Sequence, residues 1–206
     1  MEKDAERRSV AEALFKTGAL RFGRFTLSSG GSSSYYLDLR VIPSYPEVYS
    51  LVLKSYRKML SELGSRGYDA LAGVATAGVT ISSPLAFVLR RPMIYVRKEE
   101  KGYGLGRQVE GAVKPGWRVV LIDDLVTTGA SVISAIEAVR GLGCVVSDAV
   151  VLVDRLEGAQ KNLREVGVEL HSSFTIGELV TTLFERKKLT KRDRDAVMRQ
   201  VKGGAG

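Results

Sequence analysis

Chemically reactive side chains are scarce in this chain. Its 206 residues include one cysteine, one histidine and one tryptophan. A single Cys144 excludes an intrachain disulfide, and its place in an apolar stretch reads as an inert core thiol in a reducing, cytoplasmic setting. His171 stands alone in an apolar segment, where an imidazole is more often a satisfied core or edge group than a base. The amino-terminal MEKDAERRSV is charged and lacks the apolar core of a secretory leader. Residues 70–89 run for twenty positions without a charge. Gly73, Gly78, Pro84 and several hydroxyl residues keep that stretch too polar for a membrane span, so it reads as strand, glycine turn and buried helix. There is no GxxxxGK[ST] and no GxGxxG, which excludes a Walker A loop and a dinucleotide fingerprint. No internal repeat is visible.

Acidic residues are the minority charge, 23 against 31 basic, for a net +8. Such an excess suits a nucleic acid or a small polyanion such as a pyrophosphate. The densest basic run, Arg186, Lys187, Lys188, Lys191, Arg192 and Arg194, is broken by Asp193 and has no interleaved aromatics to stack on bases. It reads as a solvated helix face, and nucleic acid is not an expected partner.

What is abundant is alternation of strand and helix patterns. A helix is expected over residues 3–17, with Val10, Leu14 and Thr17 on one side. A short strand pair follows at 20–22 and 24–27, turned at Gly23, then a serine-glycine binding loop at 28–34 and an aromatic strand at 35–39. Pro43 and Pro46 bracket a turn, and a helix runs from Pro46 to Gly64 on a stripe of Val48, Leu51, Val52, Met59, Leu60 and Leu63. Strands are expected at 69–75, 92–96, 119–122, 145–153 and 168–174, with helices between them and two more at the end. Thr175 with Glu178, and Thr190 with Asp193, carry the spacing of capping boxes for those two helices. The order argues a mainly parallel α/β sheet of one domain, residues 1–206, divided into a small amino-terminal lobe (1–45) and an α/β core (46–206).

Chemistry concentrates at residues 119–131, VVLIDDLVTTGAS. A buried apolar strand leads into Asp123 and Asp124, then into the small turn Thr127, Thr128, Gly129, Ala130 and Ser131, then into a helix with Ile133, Ile136, Val139 and Leu142, stopped by Gly143. Amides of such a turn and the positive end of its helix hold an anion. The two carboxylates beside it suit sugar hydroxyls or a hydrated Mg²⁺. A second strand–glycine turn–helix unit at 73–79, GVATAGV, is a further candidate anion site. The segment 97–111, RKEEKGYGLGRQVEG, pairs clustered cations with alternating glycines, as a lid over an anionic substrate would.

These residues resemble the type I phosphoribosyltransferases, and VVLIDDLVTTGAS is similar to their signature for phosphoribosyl pyrophosphate (PRPP). FTLSSGGSSSYYLDL, RKEEKGYG and VDRLEG, in that order, are similar to segments of the orotate phosphoribosyltransferases, closest to an archaeal branch. The resemblance implies that fold, with a small hood lobe over a central sheet, and Mg²⁺-dependent transfer of ribose 5-phosphate from PRPP to orotate in pyrimidine biosynthesis. It implies PRPP binding by Asp123, Asp124, Leu125, Val126, Thr127, Thr128, Gly129, Ala130 and Ser131. It further implies catalytic roles for Lys101, Arg97, Lys98 and Tyr103, and orotate binding by Thr127, Arg155, Tyr35 and Tyr36. Mg²⁺ would rest mainly on PRPP, near Asp123 and Asp124, without an all-protein cage. A homodimer sharing the 97–111 loop across its interface is implied as well. Ser28 and Ala77 stand where bacterial members carry lysine, which removes two cations. Two other readings on this fold are a PRPP-sensing regulator and a transferase for a different base.

Overall fold

The computed structural model describes residues 2–26, 31–63, 67–98 and 108–203. Helix α1 (Glu2–Lys16) buries Val10, Ala11 and Leu14. Thr17 lies just past it and donates its hydroxyl to the Ala13 and Leu14 carbonyls, so it closes the helix rather than packing on it. Strands β1 (Leu20–Thr26) and β2 (Ser32–Leu37) form a separate antiparallel pair. The expected turn at Gly23 is absent. One strand runs through it, and the register slips between Phe22 and Phe25 at a bulge where Gly23 takes φ 148°, a conformation that favours glycine.

The serine loop is also shorter than its composition suggests. Ser32, Ser33 and Ser34 belong to β2, and Gln200 accepts bonds from the Ser34 amide and hydroxyl, both at 2.8 Å. That partner is 166 residues away, which no local pattern reveals. The aromatic strand ends at Leu37 instead of Leu39, because Asp38 caps a 3-10 turn, Leu39–Ser44, through the Arg40 amide.

Helix α2 (Pro46–Glu62) starts at its proline and buries Val52, Tyr56 and Leu60. The core then alternates β3 (Ala70–Val74), α3 (Ala77–Leu89), β4 (Met93–Val96), β5 (Val109–Glu110), β6 (Arg118–Ile122), β7 (Leu125–Val126), α4 (Ala130–Arg140), β8 (Val145–Asp154), α5 (Ala159–Glu165) and β9 (Glu169–Thr175). Helices α6 (Ile176–Glu185) and α7 (Lys191–Gly203) follow. The sheet runs β5-β4-β3-β6-β8, with β7 and β9 also paired to β8, and every pairing except β4 with β5 is parallel.

Both faces of this sheet are covered, as parallel sheets require. Alternation along each strand divides the core. Leu71, Val120, Ile122, Val150 and Leu152 pack with α1, α2, α3 and α6, while Ala72, Leu121, Ala149 and Val151 pack with α4 and α5. Each fully buried Leu, Ile or Val is worth roughly 1.5–3 kcal/mol of transfer free energy.

Helix α4 corrects the expected stripe: Val132, Ala135, Ile136 and Val139 are buried, whereas Leu142 lies beyond the helix end and is 42% exposed. Helix α5 occupies only part of the span between the strands expected at 145–153 and 168–174. The Thr175–Glu178 capping box forms, and Thr190 accepts from the Asp193 amide as expected. Cys144 is buried, with its thiol near the Lys114 carbonyl.

Candidate active site

The acidic pair interrupts a strand. Ile122 pairs with Val150 and Leu125 with Val153, so from Val120 onward β6 and β7 lie along the same edge of β8 in one register. Between them the Asp123 amide donates to the Val150 carbonyl, and the Asp124 carbonyl accepts from the Leu152 and Val153 amides. Tyr56, wholly buried on α2, donates its hydroxyl to the Asp123 carbonyl at 2.6 Å. The backbone under both carboxylates is thus fixed from two sides.

Both carboxylates line an open cleft of about 720 Å³ at the carboxyl ends of the strands. Burial, followed by the neighbouring Asp124 charge, holds the Asp123 carboxyl well above the usual carboxylate range. Burial raises Asp124 too, opposed by bonds from the Leu125 amide and by the positive charge of Arg40. Two adjacent carboxyl groups from which water is partly removed suit sugar hydroxyls or a divalent cation as partners. Hard oxygen donors of this kind fit Mg²⁺ that keeps most of its shell on substrate and water.

After β7 the chain passes through Thr127 and Thr128 to Gly129, whose φ of 86° and ψ of 0° demand glycine. Helix α4 begins there with no cap from Gly129 itself; the Thr128 hydroxyl accepts from the Ala130 amide at a long 3.4 Å, and the first-turn amides, which have no partner within the helix, belong to residues that line the cleft. Asn162 on α5 donates to the Thr128 carbonyl at 2.9 Å and steadies the turn. Asp123 to Ser131, the whole expected PRPP set including Leu125 and Val126, lines the cleft.

The second strand–turn–helix unit faces it. Val74, Ala75, Thr76 and Ala77 line the same cleft, and the Ala75–Thr76 peptide is cis. The glycines of this unit serve packing: a Cβ on Gly78 would lie 2.2 Å from the Ile122 carbonyl oxygen, and one on Gly73 2.4 Å from the Ser82 hydroxyl.

Arg97 and Lys98 line the cleft at the end of β4. The Arg97 amide donates to the Gln108 carbonyl at 2.9 Å, and its guanidinium meets Glu110 at 3.4 Å. The expected lid is thereby anchored at its base, where β4 and β5 pair. Lys101 and Tyr103, like Ser28, lie outside the described residues.

The expected orotate residues other than Thr127 sit beside the cleft rather than along it. Arg155 donates Nε to the Tyr35 hydroxyl at 2.9 Å, stacks over its ring and pairs with Glu157 at 3.0 Å. Its amide is bonded to the Val126 carbonyl, which keeps it adjacent to the lining. Tyr36 packs on Phe25 and under Arg21. His171 pairs with Asp148 at 2.9 Å on the sheet, away from the cleft lining.

Three residues of the site and its support escape the sequence patterns. Asp38 and Arg40 line the cleft from the start of the 3-10 turn, joined by a bidentate pair. Their signal is an Asp two residues before an Arg where an apolar strand stops, a capping pattern. Tyr56 shows only as an aromatic four residues from Val52 and Leu60 on the apolar side of α2.

The phosphoribosyl transferase domain model matches residues 47–174. The orotate phosphoribosyltransferase of Cenarchaeum symbiosum is 42% identical over 191 residues, 92% of this chain and 94% of its own. The crystal structure of orotate phosphoribosyltransferase from Aeropyrum pernix superposes with a TM-score of 0.77 at 40% identity, over 88% of this chain and 99% of that one. Leishmania donovani UMP synthase gives a TM-score of 0.84 at 35% identity, over 95% of this chain and 42% of that longer chain. Acidic strand, open helix end and similarity along nearly the whole length agree: the chain belongs to the phosphoribosyltransferase family, among the orotate phosphoribosyltransferases.

Proposed function

We propose that this chain transfers the 5-phosphoribosyl group of PRPP to N1 of orotate, giving orotidine 5′-phosphate and pyrophosphate. The C1′–O bond to the diphosphate breaks as the C1′–N1 bond forms. The N1 proton is lost in the process, and the departing diphosphate is basic enough to take it. The observation that carries this reading is the placement of two half-buried carboxylates and the open amino end of α4 on one cleft. Amides at residues 129–132 suit the 5′-phosphate, and Asp123 with Asp124 suit the ribose hydroxyls, which places the sugar between the two turn units.

Mg²⁺ fits beside the acidic pair, where it would offset charge on the diphosphate. Arg97 and Lys98 are aimed at the cleft from an anchored strand end. Lys101 and Tyr103 complete the proposed catalytic segment as a cation and a neutral hydroxyl donor for the leaving group. Orotate is assigned to the side of Thr127 and Arg155, with Tyr35 and Tyr36 forming that wall. Its carboxylate would compete with Glu157 for the Arg155 guanidinium and has the geometry for a bidentate pair.

A homodimer follows from the same reading. Phe87 and Val88 on α3 are 85% and 56% exposed, and Tyr95 on β4 leaves the sheet on the face that α3 covers. An apolar face next to the strand that feeds the catalytic segment suits a second copy whose site that segment completes. A cytoplasmic location agrees with the buried thiol of Cys144, and no described helix is long and apolar enough to cross a membrane.

The test is release of pyrophosphate from PRPP with Mg²⁺, with orotate, uracil, a purine base or no base. Release with orotate alone is the expected result. Release with a purine, or PRPP binding without any turnover, would move the chain to a transferase for another base or to a PRPP-binding regulator.

A further inference from the structure

The described lining of the cleft is electrically balanced: Arg40, Arg97 and Lys98 against Asp38, Asp123 and Asp124. A substrate with a phosphate at one end of a ribose and a diphosphate at the other needs cations at both ends or an anion-binding backbone. The amino end of α4 supplies the second of these for one phosphate. The opposing turn, residues 74–77, supplies no charged side chain.

Arg40 lines the same cleft as that turn. Its neighbour Leu39 shares a small cavity with Ala77 and Asp124, which puts the 3-10 turn directly on the start of α3. The Arg40 charge is felt at the Asp124 carboxyl, where it opposes part of the rise that burial causes. Asp38 accepts from Nε at 2.7 Å and from Nη2 at 2.9 Å, a fork that fixes the plane of the guanidinium. Nη1 has no partner among the described residues, and the side chain remains 66% exposed. A preset, accessible guanidinium nitrogen beside an uncharged turn is a place for an anionic oxygen.

We propose that Arg40 binds the diphosphate of PRPP, supplying from the 3-10 turn the cation that the turn at residues 74–77 lacks. This rests on the phosphoribosyl-transfer reading for the identity of the ligand. Asp38 is then a positioning residue: it tempers the charge slightly and aims it.

Calorimetry with Mg²⁺ and three probes tests the assignment in wild type, Arg40→Ala and the double variant Arg40→Ala with Ala77→Lys. Arg40→Ala is expected to weaken PRPP and pyrophosphate by about tenfold or more, the usual scale for losing a charge-assisted bond, while ribose 5-phosphate changes by less than about twofold. Lysine at position 77 should return much of the lost affinity, since it places the charge on the turn itself. The side chain is exposed, so the melting temperature should stay put. Unchanged PRPP affinity in Arg40→Ala overturns the proposal. So does equal weakening of ribose 5-phosphate with no rescue, the pattern of a merely structural Asp38–Arg40 pair. Wild-type protein that binds PRPP but does not turn over orotate would sink the proposed reaction alone and leave this binding test intact.

Discussion

Two strand–turn–helix units lie side by side in this sheet, and they do opposite work with the same topology. The units β3–α3 and β6–α4 pair in parallel from Ala70 with Val119 to Gly73 with Ile122. The first turn is uncharged and tight; its glycines permit backbone to touch backbone and take no positive φ. The second is acidic and open, and its glycine is there for φ, with an uncapped helix behind it. Contact in one unit holds chemistry in the other, because Gly78 sits against the Ile122 carbonyl immediately before Asp123. Proximity alone explains why a small residue in the uncharged turn matters to the charged one.

Gly78→Ala should break this relation most severely. A Cβ at 2.2 Å from the Ile122 oxygen and 3.2 Å from the Asp123 Cα meets backbone, which cannot rotate away. A loss of about 3 kcal/mol or more in urea unfolding is expected, together with loss of PRPP binding as Asp123 is displaced. Gly129→Ala should cost less, about 1–3 kcal/mol for an alanine held at positive φ, since its nearest neighbour is the Leu163 side chain at 3.3 Å. Gly129→Asn should recover part of that, because asparagine tolerates this conformation. Equal losses for Gly78→Ala and Gly129→Ala would erase the distinction between a packing glycine and a conformational one.

The charged unit also bears a stability penalty that the uncharged one does not. Burial holds both Asp123 and Asp124 above the ordinary range near 4, and the Asp124 charge adds to the rise at Asp123. The folded chain therefore binds these protons more tightly than the unfolded chain. The pair's contribution to stability is full at low pH and is lost as pH rises from about 4 through the raised folded values. Asp123→Asn should unfold at higher urea than unliganded wild type at neutral pH, with the two converging near pH 4. The same change should weaken PRPP about tenfold or more, some 1.4 kcal/mol. A variant no more stable than wild type at neutral pH would show that the carboxylates are already relaxed without ligand.

Much of this was legible in the sequence. The acidic strand end and small turn are local features, and local features survive translation into a fold: Asp123 to Ser131 line the cleft as expected, and so do Arg97 and Lys98. The parallel sheet was legible because buried strands read as continuous apolar runs. What failed were contacts distant in sequence. The serines of β2 look like a loop because Gln200, which bonds Ser33 and Ser34, comes from the last helix. Gly23 looks like a turn because a bulge and a turn use glycine for the same φ freedom. Arg40 and Tyr56 reach the site through tertiary packing of the 3-10 turn and α2, and nothing at their own positions marks a destination.

The smallest expected effect belongs to Tyr56, and it probes the boundary between the two units. Its hydroxyl is the one described side-chain bond to the Asp123 carbonyl, and burial pushes its pKa well above the ordinary tyrosine value, so it remains a donor at any working pH. Tyr56→Phe keeps the ring and its packing and removes only that donor. About 1 kcal/mol of stability should be lost for a buried carbonyl left short of a partner. If the bond holds the acidic pair in register with the sugar, KM for PRPP should rise by about fivefold on the same energetic scale, while KM for orotate and kcat stay near wild type. A stability loss with no change in KM for PRPP would mean that the β6–β8 backbone bonds alone hold Asp123, and that α2 serves the core without serving the site.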